Sequence, residues 1–351
     1  MAETVGKENM APRGRVTAFD VLNILACLGV ITLHHNGLVH TFDGSRAWAQ
    51  SLVAECLWYW AVPVFMMISG ANLMRYRERY DTPSFFKKRA LHTVLPWLFW
   101  SVVILSAKVW KGLIVLGPSP LLDAVNRILS FTQVEYVYWF FRALFACYLA
   151  MPVFSLLCDR RDILWYVVAL NGLAFSVLPR LRTLTGLSIS MDVALVGEMI
   201  LFALLGYLLS TGLPAKKQRL LLYALGLCAV VIRYVFTYYR SFALADTATT
   251  LKGYQQMHSV LYAAAIFVLG LRIPWERVLG EKVCALLPRL SACSFGIFLI
   301  HRIVMYVEMP LLGLDGHSLV WRVLCPLLTY GVSLLITLVL KKLPILKYTV
   351  G

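Results

Sequence analysis

Ten runs of apolar residues, each near the length needed to cross a bilayer, constrain this chain more than any other feature. They cover about 17–38, 50–74, 90–110, 136–157, 163–179, 192–213, 220–239, 255–271, 290–309 and 318–340. A helix rises about 1.5 Å per residue, so ~20 residues cross a hydrocarbon core of ~30 Å, and the fifth run only just qualifies. No segment alternates apolar and polar residues as a barrel strand does, so helices must satisfy the backbone inside lipid. The expected fold is an all-α membrane protein, a polytopic bundle of about ten transmembrane helices. Residues 1–15 are expected to form a cytoplasmic N-terminal tail, 16–345 a single transmembrane domain and 346–351 a short cytoplasmic C-terminal tail. With 60% hydrophobic and 15% charged residues, the chain lies far from the ~25% charge of a soluble domain. That balance excludes a soluble enzyme, a disordered tail and a nucleic-acid reader.

The net charge of +15 is a topology signal. With a cytoplasmic N-terminus, the inside segments hold 21 lysines and arginines and the outside segments 8, while Arg142, Arg233, Arg302 and Arg322 lie within spans. The positive-inside rule then puts both termini in the cytoplasm. The first run, Val21 to Phe42, carries no formal charge over 22 residues and is too long for the usual signal-peptide core, so it reads as a retained helix. The eight cysteines are scattered without a CxxC pair, which argues against a disulfide framework or a zinc site. No metal is expected.

Ionisable groups inside a bilayer cost about 2.5–3.5 kcal/mol each at mid-helix, so they face a cavity or a partner. In this topology nearly all fall in the outer half: His34, His35, Glu55, Arg142, Glu198, Arg233, His258, His301, Arg302 and Arg322. The layer suggests a polar cavity that opens outward. Three long outer stretches, 39–49, Lys111 to about Glu135, and 240–254, can shape its mouth. The competing readings are that Arg142 and Arg322 simply snorkel to headgroups, and that Glu198 and Arg233 form a structural ion pair. Histidine is the usual general base because its pKa lies near neutrality. His34 or His35 is placed to take a proton from a hydroxyl as its oxygen attacks an activated acyl group. A GxSxG elbow, a P-loop and an HExxH motif are all lacking.

Several short motifs, in order, resemble the acyltransferase-3 family of integral-membrane O-acyltransferases. Asp20-Val-Leu-Asn-Ile-Leu-Ala26 with Val30-Ile-Thr-Leu-His34 looks like that family's first helix, its histidine fourteen residues after the aspartate. Val62-Pro-Val-Phe-Met-Met-Ile-Ser-Gly70 is similar to its proline–phenylalanine–serine–glycine signature. Phe85-Phe-Lys-Lys-Arg89 with Leu95-Pro96 resembles the basic entry to helix 3, and Tyr138-Trp-Phe-Phe141 with Tyr148-Leu-Ala-Met-Pro152 its aromatic helix. Gly206-Tyr207 and Gly296-Ile-Phe-Leu-Ile-His301 match later stations. The chain departs from the pattern at Asn23, where many members carry arginine or lysine, at Arg89-Ala-Leu-His92, and at Val137-Tyr138. It is closest in type to compact O-acetyltransferases without a fused extracytoplasmic domain.

The resemblance implies transfer of an acyl group, most often acetyl, from cytoplasmic acyl-CoA to a hydroxyl of a cell-surface or lipid-linked glycan, in a bacterial inner or plasma membrane. No permanently bound cofactor is implied; acyl-CoA is a donor substrate. Arg89 and Lys88 would contact its phosphates as charge-assisted partners, although the run Lys87-Lys88-Arg89 is also a plain inside-positive signal. His34 is the expected base, with an acyl-histidine intermediate as the alternative route. His35 points about 100° away, so only one of the two faces a given cavity. Asp20 or Glu198 would orient partners, and Arg233 or Arg142 would hold an oxyanion or anionic acceptor. His301 is either an assistant at the outer site or structural. Ser69-Gly70 reads as a close helix contact, and Tyr138, Trp139 and Tyr148 as packing or interfacial aromatics. Membrane lipid, acyl-CoA and the glycan are the expected partners. The rival classes are a transporter or flippase of a lipid-linked sugar or small anion, for which Pro63, Pro96 and Pro152 would supply broken helices, and a non-catalytic assembly subunit.

Overall fold

The computed structural model describes residues 16–186, 197 and 199–351, and among these every regular element is helical. In chain order they are α1 (Thr17–His35), α2 (Arg46–Trp58), α3 (Ala61–Leu73), α4 (Thr82–Arg89), α5 (Leu95–Trp110), α6 (Pro120–Leu129), α7 (Trp139–Phe154), α8 (Arg161–Gly172) and α9 (Leu178–Thr185). There follow α10 (Ile200–Thr211), α11 (Lys216–Leu244), α12 (Met257–Arg272), α13 (Trp275–Leu279), α14 (Glu281–Ser291), α15 (Ser294–Leu311), α16 (Leu319–Val323) and α17 (Cys325–Lys342). Eight continuous helical stretches among the described residues are long and apolar enough to cross a membrane. The sixth and eighth apolar runs correspond instead to shorter helices, the 12-residue α10 and the 16-residue α12.

Three prolines disturb the long stretches, where their rings meet the carbonyl four residues back, whereas Pro152 lies inside α7 without breaking it. Pro63 opposes the carbonyl of Tyr59, and the chain turns at Tyr59–Trp60 between α2 and α3. Pro96 opposes His92, and a π-helical turn over Ala90–Val94 absorbs the clash. The same device, over Leu173–Val177, precedes Pro179.

α1 is the central helix, packed against α2, α3, α12, α14, α15 and α17. Its rotation is set at several levels. The Asn23 amide donates to the backbone oxygen and Oγ of Ser291 at 3.0 and 2.9 Å, and Cys27 Sγ donates to the Ser294 carbonyl at 3.6 Å. Asn23 thus joins α1 to α14. The tightest crossing is between α3 and α10. A Cβ on Gly70 would sit 1.8 Å from the Ala203 carbonyl oxygen, and one on Gly206 1.9 Å from that of Met67. Each glycine admits the other helix's backbone, which is the close contact read from Ser69-Gly70.

The segment 346–351 is no loose tail. Trp100 Nε1 donates to the Thr349 carbonyl at 2.9 Å, and Val350 is fully buried against the bundle.

Candidate active site

The last turn of α1 carries His34 and His35, and the two rings go to opposite surroundings, as consecutive helical positions must. His34 faces a cavity of about 190 Å³ whose other polar lining is His40, Glu55, Tyr59, Tyr136, Lys252 and Tyr254. Its ring lies on His301, with centroids 5.3 Å apart, and meets Tyr136 edge-on at 5.8 Å. His301 is fully buried, and its Nδ1 lies 2.7 Å from the Phe298 carbonyl. A carbonyl only accepts, so Nδ1 carries a proton, and in the neutral ring Nε2 keeps its lone pair.

His35 turns away from the cavity. Its Nε2 lies 2.8 Å from Thr329 Oγ1, the Thr329 hydroxyl donates to the Glu308 carboxylate, and Trp321 covers the ring at 4.1 Å. This chain ties α1 to α15 and α17 and fixes the rotation that aims His34 at the cavity. Of the two histidines, only His34 lines it.

Arg233, from α11, does not line this cavity; it sits beside Glu55 and Tyr59, which do. Its guanidinium lies 3.3 Å from Glu55 Oε1 and 3.4 Å above the Tyr59 ring, with 5% of the side chain exposed. Tyr59 stacks on Tyr254 at 4.3 Å, and Tyr254 on Trp139 at 5.7 Å. The Tyr59 hydroxyl donates to the Lys252 carbonyl. Lys252 Nζ donates to His40 Nδ1 at 2.6 Å. Burial pulls the Lys252 ammonium below the usual lysine range, with Glu55 opposing and Arg233 reinforcing the effect. Burial, and then the Lys252 charge, likewise lowers His40, which suits a neutral ring that accepts. A separate clasp holds the wall at Tyr136. The preceding Glu135 is buried and takes Lys108 at 3.1 Å, Tyr306 at 3.1 Å and Arg302 at 3.5 Å.

The other expected site residues are dispersed. Asp20 is buried one helix-length from His34, about 21 Å along α1, so it cannot orient that ring directly. Arg142 is exposed on the outer surface of α7 and does not line the cavity. Glu198 lies outside the described residues. Lys88 and Arg89 sit at the Asp20 end, Lys88 Nζ 3.9 Å over the Tyr80 ring and the Arg89 guanidinium 5.7 Å over Tyr148. Arg322 does not snorkel: it is buried and donates to the Ala47 carbonyl and to Gln50 Oε1 at 3.0 and 2.8 Å. Tyr138 and Tyr148 are buried packing residues, whereas Trp139 lines the cavity.

Sequence reasoning missed Glu55 as the carboxylate facing Arg233, and also His40, Tyr136, Lys252 and Tyr254. The available signal was their position in or beside the three long outer loops.

A family model described as an acyltransferase domain matches residues 16–340 of the 351-residue chain. The chain belongs to the acyltransferase-3 family. No curated protein and no solved structure matches it. Family membership makes the chain a multi-pass membrane acyltransferase.

Proposed function

We propose that this chain is an O-acyltransferase that moves an acyl group, acetyl in the simplest case, from acyl-CoA to a hydroxyl of a cell-surface or lipid-linked glycan, with His34 as the general base. The observation that carries the reading is the placement of His34 in a cavity of about 190 Å³, stacked on a buried second histidine. In the reaction His34 removes the proton from the acceptor hydroxyl as that oxygen attacks the thioester carbonyl. The carbon–sulfur bond then breaks, and the proton passes from His34 to the departing thiolate. His301, held by the Phe298 carbonyl, backs the base and limits its rotation. Tyr136 and Trp139 offer ring surface to a sugar, and Lys252 with His40 offers a polar edge.

The donor enters from the Asp20 end, taken as cytoplasmic from the excess of lysine and arginine there. Arg89 and Lys88 supply cations for its phosphates. His92 and Phe295 both abut Gly351, which puts them at similar depth. Arg89 is three residues before His92 and Phe295 is six before His301, so the arginine is roughly 13 Å from the histidine layer along the bundle. An extended thiol arm spans such a distance.

The test compares surface-glycan mass spectra from cells making the native chain, His34→Ala and His35→Ala, at matched expression in a deletion background. The proposal expects a one-acyl mass increment that disappears with His34→Ala and survives, reduced, with His35→Ala. An increment that survives His34→Ala removes the base assignment. A deletion that changes glycan export but no acylation favours transport.

A further inference from the structure

The helix α6 has its faces the wrong way round for a surface helix in water. At about 100° per residue, Leu121, Val125, Leu129 and Leu122 occupy one continuous face, and these are its exposed residues, at 80, 42, 58 and 61%. The charged residues face inward. Arg127 Nε donates to Asp123 Oδ2 at 3.1 Å, the Gly117 amide donates to the same oxygen at 3.0 Å, and Arg127 also donates to the Val115 carbonyl at 3.4 Å. No residue of α6 is buried, and Ala124 and Ile128 are the apolar residues that lean on the core. In the segment before it, Val115, Leu113 and Trp110 are likewise 81, 70 and 85% exposed, with the exposed Lys111 among them. Trp110 closes α5, a helix whose Val102 and Val103 already face outward among the spans.

We infer that α6 and the loop before it lie in the plane of the bilayer interface, with Leu121, Leu122, Val125 and Leu129 set into the boundary between headgroups and acyl chains. A lipid surface fits this face better than a second copy of the chain does, because the segment leaves α5 at Trp110, seven residues after Val103 and so on the same outward side of that span, and indoles at a span's end settle at headgroup depth. The internal satisfaction of Asp123 and Arg127 leaves only the exposed Asn126 as a polar group of the helix on its outer side, which suits an in-plane amphipathic helix. Phe131 follows in a left-handed turn with φ 63°, and the chain turns again over 132–134 before Glu135 and Tyr136. The anchored helix therefore sets the depth of one cavity wall, and the mouth opens at the level of lipid headgroups. The inference stands apart from the transfer chemistry.

The test uses the full native chain in phosphatidylcholine vesicles that contain a phospholipid with a diazirine on its acyl chain. After irradiation and trypsin, peptide 112–127 is expected to be labelled as strongly as peptide 220–233 of α11, whose Leu220, Leu221 and Leu227 are exposed. It should be labelled several-fold more strongly than peptide 241–252 of the outer loop. Labelling no stronger than that of 241–252 overturns the inference. A second measurement places a nitroxide at Leu122→Cys after Cys228→Ser and Cys284→Ser. Collision with oxygen should exceed collision with a water-soluble nickel chelate. The reverse order, or dipolar broadening between labels on two chains, overturns the inference as well.

Discussion

The pairing of Glu55 with Arg233 makes a prediction that separates the tertiary structure from what the sequence left open. Both side chains are nearly fully enclosed, at 10 and 5% exposure, and their charges approach to 3.3 Å. Removing the carboxylate with Glu55→Gln leaves a guanidinium without its counter-charge, a change that costs about 3–5 kcal/mol in buried pairs. The Tyr59 face, 3.4 Å from the guanidinium, still offers about 2 kcal/mol of cation–π attraction. The expected loss therefore lies near the low end, about 3 kcal/mol, or roughly a hundredfold in the folded-to-unfolded ratio. Arg233→Met should cost a similar amount by stranding Glu55. The double variant removes both charges and keeps most of the volume, so it should fall within about 1–2 kcal/mol of the native chain. Unfolding in mixed detergent micelles, followed by circular dichroism for all four chains, gives the coupling energy. Losses that simply add would refute the pairing. A large coupling between Arg233 and Glu198 in place of Glu55 would restore the partner that the sequence first suggested.

Two further predictions follow from geometry. Gly70→Ala puts a Cβ 1.8 Å from the Ala203 carbonyl. Because real Cβ contacts essentially never fall below 3.0 Å, the contact must open by at least about 1.2 Å, at a cost of about 1–3 kcal/mol. Its melting temperature in detergent should fall, as should that of Gly206→Ala, whereas Gly331→Ala, with nothing within 4 Å, should be neutral or stabilising. The second concerns pH. The Gly117 amide and then Arg127 hold Asp123 below the ordinary carboxylate value of 3.8. A depressed carboxylate contributes above its unfolded pKa and is lost only as pH falls through its folded value. The amide resonance of Gly117 should thus titrate with a midpoint below 3.8; a midpoint at or above 3.8 would contradict the contact.

Span length is a local property, and this is why so much of the architecture was legible. About 20 apolar residues without charge must form a helix in lipid wherever the rest of the chain goes. The breaks at Pro63 and Pro96 were equally readable, because a proline ring clashes with a carbonyl in its own helix. The adjacency of His34 and His35 already required that they diverge, and the spacing from Asp20 favoured the one that lines the cavity. Other features depend on which helix faces meet, and only the fold determines that. Arg233 could have faced any carboxylate of the outer layer, and its partner became Glu55 because α2 and α11 pack side by side. Asp20 and His34 share one helix face pattern and one motif, yet a rigid rise of 1.5 Å per residue keeps them about 21 Å apart. His40, Tyr136, Lys252 and Tyr254 come from loops with no periodicity to read, and His301 reaches His34 only because α15 runs alongside α1. The sequence alone determined a helical membrane bundle with polar groups gathered toward one end. The tertiary structure decided which of those groups share the cavity, because side chains far apart in the chain meet only through the packing of whole helices.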